Sequence, residues 1–337
     1  MTMKTSKILG IGTYVPPRIW KNDDLKQFMD TSDDWIQQRT GIKQRHWVEL
    51  DSALCSSDLA LEACKKALAN AKVSAQEIDL IILATLSPDV EFPGTACFLQ
   101  AKLDLPGVPA LDVRQQCTGF IYGMSIADQF IKTGMYKKVL LVGAETHSKG
   151  LDKSTRGREV SVLFGDGAGA VVIGAADDDK GGAILSTHLH AEGKHARELW
   201  LEVAGMGHPG DRLTVDQLSE AKHYPQMNGK TVFIHACKRM PEAIVEALKH
   251  NNLKIEDIDL FVFHQANLRI NEMVAKQLGI PAEKVFNTID RFANTTAATI
   301  PIGLDEAQKA GVLKPGMLVA SAAFGSGFTW ASAIFRW

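Results

Sequence analysis

The 337-residue chain has no Cys-x-x-Cys pair, no long apolar run and almost no surplus of charge. Each absence removes a class of protein. The five cysteines (Cys55, Cys64, Cys97, Cys117 and Cys237) are scattered and odd in number. That is neither a disulfide framework nor a zinc site, and it fits a reducing cytosol. No stretch approaches the roughly 18 apolar residues of a membrane span. Residues 1–15 lack the apolar core of a signal peptide, so a cytoplasmic, soluble protein is expected. A formal net charge of −2 argues against a dedicated nucleic-acid binder, which needs a basic face for phosphates. The ten histidines offer no ligand-spaced cluster beyond His188 and His190, a weak metal signal. What is left is ordinary globular composition, 45% hydrophobic and 23% charged, long enough for two core-sized units.

The most informative segment is LDVRQQCTGF at 111–120. An apolar strand, 109–113, runs into a helix on which Phe120, Ile121, Met124, Ala127, Phe130 and Ile131 recur at helical spacing until Gly134. Cys117 therefore sits in a first helical turn, where unpaired N–H groups and the helix dipole favour negative charge. A lowered pKa and a thiolate nucleophile are the expectation. A buried structural cysteine fits the same segment taken alone.

The chain also echoes itself. SAQEIDLIIL (74–83) returns as KIEDIDLFVF (254–263), KLDLP (102–106) as QLGIP (277–281), and KVLLVGA (138–144) as GMLVASA (316–322). GDGAGAVVI (165–173) returns as GSGFTWASA (325–333). The first three echoes follow at about 175–180 residues and the last at 160, which places an extra stretch near 145–164 in the first half. Helical patterns at 57–70, 118–133, 236–250 and 270–278 alternate with Val-, Ile- and Leu-rich strands. The pattern is α/β with buried strands, duplicated as a whole unit. Two halves are expected, 1–178 and 179–337, linked by DDDKGG (177–182), with 191–229 as a long surface excursion.

In the second half a strand over 259–263 ends at His264, at the carboxyl end where open α/β sheets collect ligands. Such a histidine is a candidate acid, base or hydrogen-bond donor. Asn294 precedes an apolar helix expected at 298–310, in the segment that answers the Cys117 loop. Alone it reads as an N-cap. With the repeat, Cys117 and Asn294 open equivalent helices, and a Cys/His/Asn constellation can converge. The glycines of GDGAG (165–169) do not make a dinucleotide loop, because a strand and not a helix follows them. Close backbone packing explains them better.

These residues carry a resemblance along essentially the whole chain. DTSDDWI (30–36), RTGI (39–42), CTGF (117–120), GDGAGA (165–170), HQANLRI (264–270), NTTAA (294–298) and AFGSGFTW (323–330) resemble the β-ketoacyl-acyl-carrier-protein synthase III family. The resemblance implies a thiolase-like α/β fold, two duplicated halves packed as a layered α-β-α-β-α sandwich, and a homodimer. It implies no cofactor beyond coenzyme A thioester as substrate. Cys117 would take an acyl group from acyl-CoA; malonyl-acyl carrier protein would then lose CO₂ and its enolate attack that group. His264 and Asn294 would donate hydrogen bonds to the enolate. The N–H groups of Cys117 and Ser326 would form the oxyanion hole. By the same resemblance Trp35 and Arg156 sandwich the CoA adenine and Arg39 meets the phosphates. Gly229, Asn267 and Phe324 line the pantetheine tunnel, Phe92 and Gln116 belong to the acyl pocket, Phe92 reaching across to the partner subunit, and Arg269 docks the carrier protein.

Three departures qualify it. Arg114, Gln115 and Gln116 stand where small residues usually precede the cysteine; 191–229 is longer than usual; and Ile234 replaces a docking cation, with Lys238 and Arg239 a turn later. A thiolase would need a second cysteine in 323–328, and elongating synthases a histidine at 294; neither is present. A polyketide- or alkylquinolone-type synthase with an unusual primer is the alternative. A cysteine hydrolase, releasing free acid, and a non-catalytic binder of CoA or carrier protein are the others, the last having no use for all three of Cys117, His264 and Asn294.

Overall fold

The computed structural model describes residues 5–176, 183–207 and 209–337. The expected link at 177–182, and with it the boundary between the halves, lies outside the described residues. Strands with no polar alternation need cover on both faces, and two such sheets form. The first runs Thr5–Tyr14, Gly167–Ala176, Lys138–Glu145, Leu80–Ala84, Ala110–Val113 across its width. Its first two pairings are antiparallel and its last two parallel. The second runs Ala183–Ala191, Thr329–Arg336, Leu318–Gly325, Leu260–Phe261. There again two antiparallel pairings are followed by a parallel one. A parallel bridge from Phe261 to Val285 stands where a fifth strand would be.

Helices Gly119–Lys132 and Thr299–Lys309 lie between the sheets. Phe120, Ile121, Met124, Ile300 and Leu304 are buried with Leu141 and Val171 of one sheet and Val319 and Ala331 of the other. A helix covered on both sides needs burial all round: residues 299–305 are buried in succession, and the polar Glu306, Gln308 and Lys309 gather at the end that leaves the sheets. Ser56–Ala71 covers the outer face of the first sheet, and Gly229–His250 with Leu268–Leu278 covers that of the second. The result is the α-β-α-β-α sandwich. Backbone contact is close at its centre: a Cβ on Gly143 would lie 2.4 Å from the Ala297 carbonyl oxygen. Among the described residues no helix is long and apolar enough to cross a membrane.

GDGAG is a packing motif. A Cβ at Gly165 would stand 2.5 Å from the Phe292 oxygen, and one at Gly169 2.6 Å from Pro301 Cβ. Between them buried Asp166 accepts from the N–H of Val48 (2.8 Å) and of Ser148 (2.9 Å) and from the Ser148 hydroxyl (2.5 Å), tying three segments together.

Three expectations change. The helix expected from 236 begins at Gly229, with Asn228 capping it. The segment 191–229 is more than a surface excursion: Leu199–Trp200 pairs antiparallel with Gln226–Met227, and 199–205 lines a cavity. The third concerns Asn294. The 3₁₀ turns that open the two central helices are Gln116–Thr118 and Thr296–Ala298, each entered through a left-handed residue, Gln116 (φ 44°) and Thr296 (φ 48°). Ala297, not Asn294, is thus the counterpart of Cys117, and Asn294 stands three residues before it, in the chain's approach to the turn.

Candidate active site

Strand Ala110–Val113 delivers the chain to the turn Gln116–Thr118, and the left-handed Gln116 turns Cys117 inward. Such backbone conformations are uncommon outside glycine and concentrate at functional sites. Cys117 is 7% exposed. The backbone N–H groups of Cys117 itself and of Ser326 lie near its sulfur and favour the thiolate. The expected low pKa does not hold in the free protein. Burial pushes the thiol up to about 12, the charge of Glu145 adds to the rise, and the two N–H groups only partly oppose it. Desolvation outweighs the helix terminus here, so the resting residue is a thiol.

His264 follows Leu260–Phe261, its N–H bonded to Ala322 O at 2.9 Å. Its Nδ1 lies 2.7 Å from Thr299 Oγ1, while Nε2 is buried without a partner. Burial lowers its pKa to about 3, so the ring is neutral. Asn294 is gripped by the 163–165 segment: its N–H donates to Leu163 O (2.9 Å) and its carbonyl accepts from Gly165 N–H (3.0 Å). Its Oδ1 accepts from Thr296 N–H at 2.8 Å, which leaves the NH₂ group as the side chain's free donor.

Cys117, His264 and Asn294 line one cavity of about 360 Å³. Trp35, Arg39, Gly229, Asn267 and Phe324 line it as well. A second cavity, about 300 Å³, also reaches Cys117 and is lined by Leu86, Gln116, His147, Phe164 and Trp200. Ser326 borders this second space, its hydroxyl donating to Leu199 O. The sulfur thus stands where two cavities meet.

The remaining expected residues are less central. Arg156 lies outside both linings and donates to Asp152 at 2.7 Å. The guanidinium groups over the Trp35 ring are those of Arg39 (4.4 Å) and Arg158 (4.9 Å). Arg158 gave no signal in the sequence beyond its charge. Asn267 caps Leu268–Leu278, accepting from Arg269 N–H, and donates to Arg39 O at 2.9 Å. Arg269 is exposed. Phe92 is 80% exposed and lines neither cavity of its own chain. Arg239 is held by Glu192 and Glu242, both at 2.9 Å, whereas Lys238 is exposed.

Two buried groups beside the site were missed. Glu145 accepts from the N–H groups of Leu86 and Ser87 and the hydroxyls of Thr85 and Ser87, and burial raises its carboxyl to about 7. His147 bonds Thr296 Oγ1 and stacks on Phe164 at 4.4 Å. Their partners lie far away in the chain, so no local pattern marks them. Glu192, His195 and His235 bring three ligand-type atoms together, but Lys194 and Arg239 already pair with Glu192 and oppose a cation there. His188 and His190 instead bond Glu246.

Two models of one family match the chain: 3-oxoacyl-[acyl-carrier-protein] synthase III over residues 111–193 and its C-terminal part over 248–337. The β-ketoacyl-[acyl-carrier-protein] synthase III of Caldanaerobacter subterraneus is 44% identical over 330 residues, 98% of this chain and 97% of that protein. That of Xanthomonas campestris is 45% identical over 337 residues, 98% of each. The chain belongs to the 3-oxoacyl-[acyl-carrier-protein] synthase III family. It is an acyltransferase of the condensing type. The crystal structure of the Aquifex aeolicus synthase III superposes with a TM-score of 0.88 at 42% identity, covering 98% of this chain and 100% of that one. A priming β-ketosynthase from the R1128 polyketide pathway gives 0.88 at 29% identity, covering 99% and 96%. The thiolase-like fold of this synthase and its lack of any cofactor beyond thioester substrates follow from that membership.

Proposed function

We propose that the chain starts acyl chains from an acyl-CoA primer and malonyl-acyl carrier protein, with Cys117, His264 and Asn294 as the reacting set. The observation that carries this is their convergence on one cavity that a second cavity meets at the sulfur. Cys117 attacks the thioester carbonyl, CoA leaves, and the acyl group rests on sulfur. The N–H groups of Cys117 and Ser326, both near the sulfur, hold the oxyanion. Loss of CO₂ then gives an enolate, to which Asn294 donates through its NH₂ group and His264 through Nε2 once protonated. Fixed donors in such a site are each worth about 3 kcal/mol.

In the same reading Trp35, Arg39 and Arg156 meet the CoA nucleotide, and Gly229, Asn267 and Phe324 line the pantetheine path. Gln116 belongs to the acyl pocket, and Phe92, exposed here, to that of a second copy in a homodimer. Arg269 steers the acidic carrier protein. The protein acts in the cytoplasm, and the halves 1–178 and 179–337 are duplicates, which the matching strand order and direction support.

A specialised primer is the second reading. The Gln116 amide has no hydrogen bond among the described residues, and it shares the second cavity with His147, Glu91 and Arg114, polar groups among Leu86, Phe164, Leu199 and Trp200. Intact mass after incubation with acyl-CoAs from acetyl to decanoyl, and with hydroxyacyl-CoAs, tests both. An adduct absent in Cys117→Ala is expected, and its best donor names the primer class. No adduct on folded protein would remove CoA priming.

A further inference from the structure

We propose that Thr299 is a positioning residue for the acyl-transfer step: its hydroxyl fixes the proton of His264 on Nδ1, leaving Nε2 to accept the proton of Cys117. This rests on the reading of Cys117 as the nucleophile. The tautomer follows from counting hydrogens. Thr299 Oγ1 carries one, and donates it to the Thr296 carbonyl at 2.9 Å. In the 2.7 Å contact between that oxygen and His264 Nδ1, the donor is therefore Nδ1–H. A neutral imidazole has one N–H, so Nε2 presents a lone pair.

That lone pair is buried, has no partner, and belongs to a residue lining the same cavity as Cys117. Buried acceptors normally find a donor. The S–H of Cys117, kept protonated by burial, and the free NH₂ of Asn294 are the donors that share the space, and of the two only the thiol can give up its proton. The other tautomer would draw the Thr299 hydrogen away from Thr296.

Proton bookkeeping then closes over both half-reactions. As Cys117 sulfur bonds the acyl carbon, its S–H bond breaks and the proton passes to Nε2. The bond from that carbon to the CoA sulfur breaks, and CoA leaves as a thiolate that solvent protonates. His264 now carries N–H on both nitrogens, so Nε2–H becomes a donor to the enolate oxygen formed when the malonyl group loses CO₂. The enolate carbon bonds the acyl carbon, Cys117 departs as thiolate, and the proton returns to it. Burial disfavours the imidazolium, so the cation persists beside an anion: the leaving thiolate, then the malonyl carboxylate and the enolate oxygen.

The test is nitrogen-resolved NMR of the full chain labelled with ¹⁵N-histidine, with His264 identified by its loss in His264→Ala. A protonated Nδ1 and unprotonated Nε2 are expected. Thr299→Val removes the acceptor at Nδ1, so the proton should move to Nε2 and single-turnover acylation should slow on the order of 10²-fold. Thr299→Ser should restore both. An Nε2–H tautomer in the wild-type protein, or undiminished acylation in Thr299→Val, overturns the proposal. The tautomer is read without acyl-CoA, so failure to load acyl groups would strike the functional reading alone.

Discussion

Gly325 is where it is because of Cys117. A Cβ built at 325 would lie 2.6 Å from the Cys117 Cβ and 3.1 Å from its sulfur. The strand Leu318–Gly325 and the turn Gln116–Thr118 can touch only if one side chain is missing, and this contact brings the Ser326 N–H near the sulfur.

Gly325→Ala should therefore spare the fold and impair the chemistry. Overpacking of this kind costs about 1–3 kcal/mol. Displacing an oxyanion donor slows acyl transfer on the order of 10²-fold. Thermal unfolding and single-turnover acylation read the two separately; a wild-type acylation rate would show that the contact is slack.

Alkylation reports the state of the resting thiol. With Cys117 held near 12, its reaction with iodoacetamide, followed by peptide mass, should rise about tenfold per pH unit from pH 6 to 9. A plateau below pH 8 would reveal a thiolate and restore the lowered pKa expected from the helix terminus.

Substitution at Asn294 should separate the two half-reactions. Asn294→Asp keeps the oxygen that holds Thr296 N–H but loses the NH₂ donor. Acyl loading of Cys117 should survive, while condensation with malonyl-acyl carrier protein falls about 10²–10³-fold. Equal losses in both steps would place Asn294 in acyl transfer.

Glu145 should make stability depend on pH in an unusual direction. Its carboxyl is raised from 4.5 to about 7 in the folded state. The folded protein then binds more protons than the unfolded chain between those values. Its contribution is full below the unfolded pKa and is lost as pH rises through about 7. Urea unfolding of wild type and Glu145→Gln across pH 4–8 isolates it, because the variant cannot titrate. The wild-type-minus-variant stability should fall with pH over that window; a rising difference would mean that the carboxylate is stabilised when charged.

Much of this was readable in the chain. Cys117, His264 and Asn294 each stand at a junction between elements, and strand and helix periods mark junctions directly. The internal echo is a fact of sequence. Other features were not readable. Asp166 acts through Val48 and Ser148, and Glu145 through Thr85, Leu86 and Ser87, partners that only folding brings near. Asn294 does not match Cys117 because loop sequences fix a register only to within a few residues, while the left-handed backbone at Gln116 and Thr296 fixes it to one.

By itself, then, the sequence determined the alternation of helices and buried strands, the repeat and the junctions at which Cys117, His264 and Asn294 stand. These depend on neighbours a few residues apart, and such neighbours are written in order along the chain. Tertiary structure alone decided the charge on Cys117, the tautomer of His264, the orientation of the Asn294 amide and the inward face of 199–205. Each depends on how much water is excluded from an atom and on which donor or acceptor faces it, and those are set by segments that meet only in the packed sandwich.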